Sequence, residues 1–180
     1  MLLASNLLTN LAAAEPLGES TAFWRKSGTE ALQQALSKTP DKGPASNVIL
    51  FIGDGMSIAT VTAARILEGQ LRGHNGEENT LSFERMPYLG LVKTYNSNQQ
   101  TPDSAGTMSA IMTGVKTRAG VLGLGPENLR RRCATLAENT LDTLLWQFER
   151  EGRSTGIVTT ARLTHATPAA TYASSPERDW

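Results

Sequence analysis

The chain has one cysteine, two histidines and no surplus of either charge among its 180 residues, and each scarcity removes a class of explanation. Cys133 has no partner for an intrachain disulfide, so no covalent framework holds the fold, and the thiol says nothing about redox compartment. It reads as a small core or loop residue. Lys plus Arg and Asp plus Glu both number 17, so the overall balance gives no electrostatic reason to bind nucleic acid or a membrane surface. The one basic cluster, Arg130 to Arg132, reads as a solvated face. No apolar run is long enough to span a bilayer: the opening stretch MLLASNLLTNLAAAE is short and broken by Asn6, Thr9 and Asn10. Met1 to Ala14 reads instead as a signal-peptide remnant, apolar and ending in small residues, with no Lys or Arg ahead of it. The alternative is an amphipathic or disordered terminus of the mature protein. Repeats and low-complexity segments are also missing, and the length suits one domain with one core.

What is present alternates in a regular way. STAFWRKSGTEALQQALSKTP predicts a helix capped at Ser20 or Thr21, with Phe23, Leu32 and Leu36 on one stripe and Pro40 as its stop. After the linker PDKGPAS, the unbroken apolar run Val48 to Ile52 has the pattern of a strand buried on both faces. It ends in Gly53-Asp54-Gly55, and a second helix follows on Ala59, Thr62, Ala63, Ile66 and Leu67. LGLVKTY is a second strand candidate, and a further helix begins at or just after Ser104. TLDTLLWQFEREGR predicts an amphipathic helix on Leu141, Leu144, Leu145 and Phe148 with Gly152 as its stop. Gly156 to Thr159 then reads as a short strand running into a loop. Strands alternating with helices predict an α/β fold with a parallel sheet, whose ligands gather at the carboxyl ends of the strands. Asp54, Ser104, His165 and Thr167 all fall after strands.

Those residues have chemistry in common. Asp54, between two glycines that permit a tight turn, is a hard oxygen ligand suited to zinc or magnesium, although the same tripeptide makes ordinary turns. Ser104 is open to two readings. Serine and aspartate are both preferred helix N-caps, which alone would explain Asp103-Ser104 before a helix. A hydroxyl at a helix N-terminus also faces backbone N–H groups and a positive dipole, a suitable cradle for phosphate. No histidine lies beside it in sequence to act as base, but a metal ion on its oxygen would lower the hydroxyl pKa without one. THATP sets His165 and Thr167 two positions apart on a loop, where both could face one site. His74, in a polar glycine-bearing loop, reads as exposed. Arg178 offers a planar fork of donors for phosphate oxygens, or is a surface arginine.

NVILFIGDGM, TPDSAGTMSAIMTGVKT and TTARLTHATPAATYASSPERDW stand in the order and at about the separation seen in alkaline phosphatases, which the chain resembles from about Ala22 to Trp180. The resemblance implies an alkaline-phosphatase-like parallel-sheet sandwich with flanking helices. It implies that Asp54 bridges one zinc and the magnesium, and that Ser104 attacks phosphorus and becomes phosphoserine. Asp103 would orient the phosphate-binding arginine, which by spacing is Arg178. Thr167 matches the hydroxyl ligand of magnesium, and His165 a neighbouring position in the surroundings of that ion. The implied reaction is a two-step in-line displacement on phosphate monoesters. Two zinc ions about 4 Å apart would stabilise the attacking and leaving oxygens, with Arg178 offsetting phosphoryl charge.

The chain departs from that pattern in its ligand inventory, because a zinc pair needs several histidines and aspartates. In the family most zinc ligands, and a glutamate ligand of magnesium, come from the C-terminal half. Residues 15–180 therefore read as the N-terminal portion of a bacterial-type alkaline phosphatase, without that half. Full-length members are usually homodimers of the periplasm or cell surface, which agrees with the signal-like beginning. Two other readings stand beside this one. A sulfatase or phosphomutase of the wider superfamily would use another local motif than DSAGT. An inactive fragment or non-catalytic binding remnant would follow from an incomplete ligand set.

Overall fold

Helix caps settle where most of the regular structure begins. The computed structural model describes residues 20–40 and 42–180, so the signal-like reading of Met1 to Ala14 lies outside the described residues. Helix α1, Thr21–Ser37, starts where Ser20 turns in from an extended conformation and accepts a hydrogen bond from the Phe23 N–H at 3.1 Å, satisfying one donor that the helix leaves open. Its stripe of Phe23, Leu32 and Leu36 forms as expected but stays exposed. Helix α2, Ile58–Leu71, begins the same way, with Ser57 accepting from the Thr60 N–H at 3.3 Å. Both belong to the first of two compact units, Met1–Gly90 and Leu91–Trp180.

The first unit is held more by polar contacts than by a core. Asn79 reaches back to α2, donating to the Arg65 carbonyl at 3.1 Å and the Glu68 carboxylate at 2.7 Å. Arg65 pairs with Glu84 at 3.3 Å in the single 3-10 turn Ser82–Arg85. The returning loop presses on α2 at Gly69, which is buried.

In the second unit, α3, Ser104–Thr113, is capped by Asp103 and closed by Gly114, whose φ of 75° is the left-handed conformation that ends helices. Its inner face supplies Ala105, Met108 and Met112 to a core completed by Leu122, Ala166, Ala169 and Ala170, with Leu145 packed against it. Helix α4 is a single turn, Leu136–Asn139. Helix α5, Leu144–Arg150, is capped by the buried Thr143 and is followed by Gly152 at a φ of 76°. Leu141 lies ahead of that helix, its N–H given to the Gly123 carbonyl at 2.9 Å. Helix α6, Ala166–Ala169, makes one turn where a loop was expected. Ser109, fully buried on α3, ties the helix to the chain beside it by accepting from the Gly123 N–H at 2.9 Å.

The expected strands are not formed among the described residues. Pairing is confined to isolated antiparallel bridges, Asn96 with Gln99, Leu122 with Ser175 and Leu124 with Thr140. Val48 to Ile52, LGLVKTY and Gly156 to Thr159 run as irregular backbone, and Phe51 is 86% exposed. The physical reason is the range of the interaction. A helix closes its hydrogen bonds within one segment, whereas a strand needs a neighbour to bond with. An apolar run can mark where a buried strand belongs without supplying that neighbour. No helix among the described residues is long and apolar enough to cross a membrane.

Gly69 tests the packing of α2. A Cβ there would sit 2.5 Å from the Gly76 Cα, so Gly69→Ala is expected to lower stability by about 1–3 kcal/mol through overpacking. Helix propensity alone would raise it by about 1 kcal/mol. Thermal and urea unfolding decide the sign.

Candidate active site

The side chain of Asp103 organises the start of α3. Its backbone is extended, with φ −116° and ψ 163°, and its Oδ1 accepts from the Gly106 N–H at 3.0 Å as the helix cap. Its carbonyl accepts from the Thr107 hydroxyl at 2.9 Å. The capping function therefore rests on Asp103, and Ser104 stands as the first residue of the helix, half-buried and outside the cap interaction. Capping does not account for the serine.

Three further donors reach the same carboxylate. The Asn96 amide donates to Oδ1 at 2.9 Å, the Gly120 N–H to Oδ2 at 2.8 Å, and the Arg178 Nη1 to Oδ2 at 3.1 Å. Burial alone would push the Asp103 carboxyl up. The N–H groups of Gly106 and Gly120, the Asn96 amide and the Arg178 guanidinium more than reverse this and hold it below its ordinary value of 3.8. Gly120 also fixes the arginine backbone, its carbonyl accepting from the Arg178 N–H at 2.8 Å. Arg178 is thus half-buried and ion-paired, its side chain 22% exposed, which overrides the surface reading. Asn96 approaches α3 closely at Gly106, where a Cβ would overlap the Asn96 Oδ1 and force that side chain to shift.

His165 and Thr167 are also in the second unit, joined through α6. His165 is its N-cap, its Nδ1 accepting from the Thr167 N–H at 3.5 Å, and both residues are half-buried. Asp54 belongs to the first unit. It is an exposed central residue of a turn closed by the Met56 N–H on the Gly53 carbonyl at 3.2 Å, with Gly55 at a φ of 69°. His74 is exposed, as expected, and lines a cleft with Phe23, Trp24 and Glu77. Cys133 is exposed too.

The donor types of Asp54, Ser104, Thr167 and His165 suit a divalent ion in kind. Their number falls short: among the described residues no three His, Cys, Asp or Glu side chains gather into one metal-binding group.

Arg130 to Arg132 are exposed, as a solvated face requires, but two of them also hold a buried partner. Arg130 and Arg131 both bind the carboxylate of Glu177, which is 1% exposed. Their partner lies 47 and 46 residues away, beyond any local pattern. Asn96, Gly120 and Glu177 are the site residues that sequence reasoning missed. Only Glu177 had a signal, its place beside Arg178.

Residues 45–180 match the family model described as alkaline phosphatase. The chain is 46% identical over 178 residues to the tissue-nonspecific alkaline phosphatase isozyme of Gallus gallus, an alignment covering 97% of this chain and 34% of that protein. It is 47% identical over 159 residues to the human isozyme, covering 88% and 30% respectively. The chain thus spans about a third of the length of these curated relatives. Among solved structures, the cold-active alkaline phosphatase of a psychrophilic Shewanella sp. is similar with a TM-score of 0.58 at 28% identity, covering 71% of this chain and 29% of that one. The Thermus thermophilus alkaline phosphatase gives 0.56 at 28%, covering 70% and 24%.

The lowered Asp103 pKa has a direct consequence. The carboxylate contributes stability above pH 3.8, its ordinary value, and that contribution is lost as pH falls through the lower folded value. Arg178→Ala removes one of its donors and is expected to raise the Asp103 pKa, read from the pH titration of its carboxyl carbon by NMR.

Proposed function

Because the chain belongs to the alkaline phosphatase family, we propose that the protein is a metal-dependent phosphate monoester hydrolase in which Ser104 is the nucleophile. One observation carries the assignment within this chain: a single carboxylate, Asp103, caps the helix that begins at Ser104 and also grips Arg178. Nucleophile and phosphate-binding arginine are thereby tied to one anchor.

The Ser104 Oγ attacks phosphorus as the bond from phosphorus to the alcohol oxygen breaks, and the alcohol leaves with a proton. Water then cleaves the phosphoserine, restoring the hydroxyl and releasing inorganic phosphate. Arg178 commits Nη1 to Asp103, and the remaining donors of its planar fork suit the phosphoryl oxygens. Charge that develops on those oxygens is offset by a group already oriented, which is the efficient arrangement for phosphoryl transfer. The start of α3 adds its N–H groups and positive end.

By the family resemblance, Asp54, Ser104, His165 and Thr167 are the residues of this chain that would contribute to holding the metals, two zinc ions and one magnesium per site. Bound there, the ions would lower the pKa of the serine hydroxyl and stabilise the attacking and leaving oxygens. The remaining ligands lie outside this set. By the same resemblance, the enzyme would work in the periplasm or outside the cell as a homodimer.

Ser104→Ala is expected to abolish hydrolysis of p-nitrophenyl phosphate at alkaline pH with zinc and magnesium present, a loss on the order of a thousandfold or more in kcat. Acid quench should trap phosphate on the wild-type chain alone. A folded wild-type chain that neither hydrolyses the ester nor takes up phosphate would favour a non-catalytic remnant.

A further inference from the structure

Glu177 is a fully buried carboxylate that the hydrolytic chemistry does not use, immediately before Arg178. Arg130 binds it bidentately, Nε to Oε2 at 3.0 Å and Nη2 to Oε1 at 2.6 Å. Arg131 adds Nε to Oε2 at 2.6 Å. Hydrogen bonds from Arg130 first and then Arg131 overcome the cost of burial and hold the Glu177 carboxyl at about 2, against an ordinary 4.5. Such paired, hydrogen-bonded geometry is what allows a buried charge to persist.

The same arginines reach further. Arg131 adopts a φ of 65°, the one positive φ of a non-glycine residue among those described, and its N–H donates to the Pro176 carbonyl at 2.8 Å. Arg130 lies against Gly120, where a Cβ would stand 2.5 Å from its Nε. Gly120 is the residue that donates to Asp103 and accepts from the Arg178 backbone. Ser175 joins in, its hydroxyl donating to the Glu177 carbonyl at 2.8 Å, while its backbone pairs with Leu122. The segment carrying Arg178 is therefore fixed at the residues just before it.

We propose, building on the phosphatase reading, that Glu177 with Arg130 and Arg131 forms a brace that positions the Arg178 guanidinium for phosphate. Asp103 holds the tip of the arginine, and the brace holds its root. A strained backbone retained at Arg131 accords with a locally over-determined functional segment.

Two readouts test this on the full chain. The first is the order of the Arg178 Nε–H by NMR relaxation, compared in the wild type and Glu177→Gln, with Arg131→Ala as a milder variant should the first unfold. The expected result is a rigid guanidinium that becomes mobile in either variant; unchanged order overturns the brace. The second is affinity for inorganic phosphate with zinc and magnesium present, measured by calorimetry in a double-mutant cycle. Glu177→Gln should weaken phosphate binding about tenfold in the wild type and have no effect in an Arg178→Ala background. Equal effects in both backgrounds would show that Glu177 supports stability alone and overturn the positioning role. Should the wild type fail to bind phosphate while Arg178 order still depends on Glu177, the phosphatase reading falls and the mechanical brace stands.

Discussion

The saturated carboxylate of Asp103 is the contact on which the second unit turns. A half-buried carboxylate is costly unless its charge is met, and this one is met by four donors from four places in the chain, at positions 96, 106, 120 and 178. Each donor brings its own segment with it. The carboxylate thereby starts α3, sets the loop around Asn96, fixes the Gly120 peptide and holds Arg178. Because the four bonds share one acceptor group, none of these segments can move without leaving charge unsatisfied.

Small residues make that convergence physically accessible. Gly106 lets Asn96 approach α3, and Gly120 lets Arg130 lie against the backbone that touches Asp103. Ala105, Ala166, Ala169 and Ala170 allow α3 and α6 to pack closely beneath the site. A densely hydrogen-bonded polar layer thus rests on a core of short side chains. Close packing resists displacement, so the serine and the arginine are held by elements with little freedom to shift. The ion pair formed by Asp103 and Arg178 and the buried Glu177 with its two arginines are neighbouring ionic centres joined through Gly120.

Legibility in the sequence followed the range of the interactions. Ser20 was readable as a cap because its partner lies three residues on, and Gly152 as a helix stop because it acts through its own backbone conformation. The motif around Ser104 was readable because spacing alone carries it, and family membership followed from several such motifs in order. The strands were expected from apolar runs such as Val48 to Ile52, but strand pairing is a property of two segments, and the described residues form isolated bridges in its place. His165 was expected on a loop and is a helix cap, since one turn of helix is too short to leave a periodic signal.

The sequence by itself determined the family, the presence of helices α1, α2, α3 and α5, and the identities of Asp54, Asp103, Ser104, His165, Thr167 and Arg178 as the residues of interest. These depend on residue type, order and local spacing, which a linear chain contains in full. The tertiary structure alone decided that Asp103 and not Ser104 caps α3, that Asn96 and Gly120 complete its shell, and that Arg130 and Arg131 enclose Glu177. Those outcomes rest on hydrogen bonds and ion pairs between groups as many as 75 residues apart, and which donor reaches a buried carboxylate is settled only when the chain closes around it.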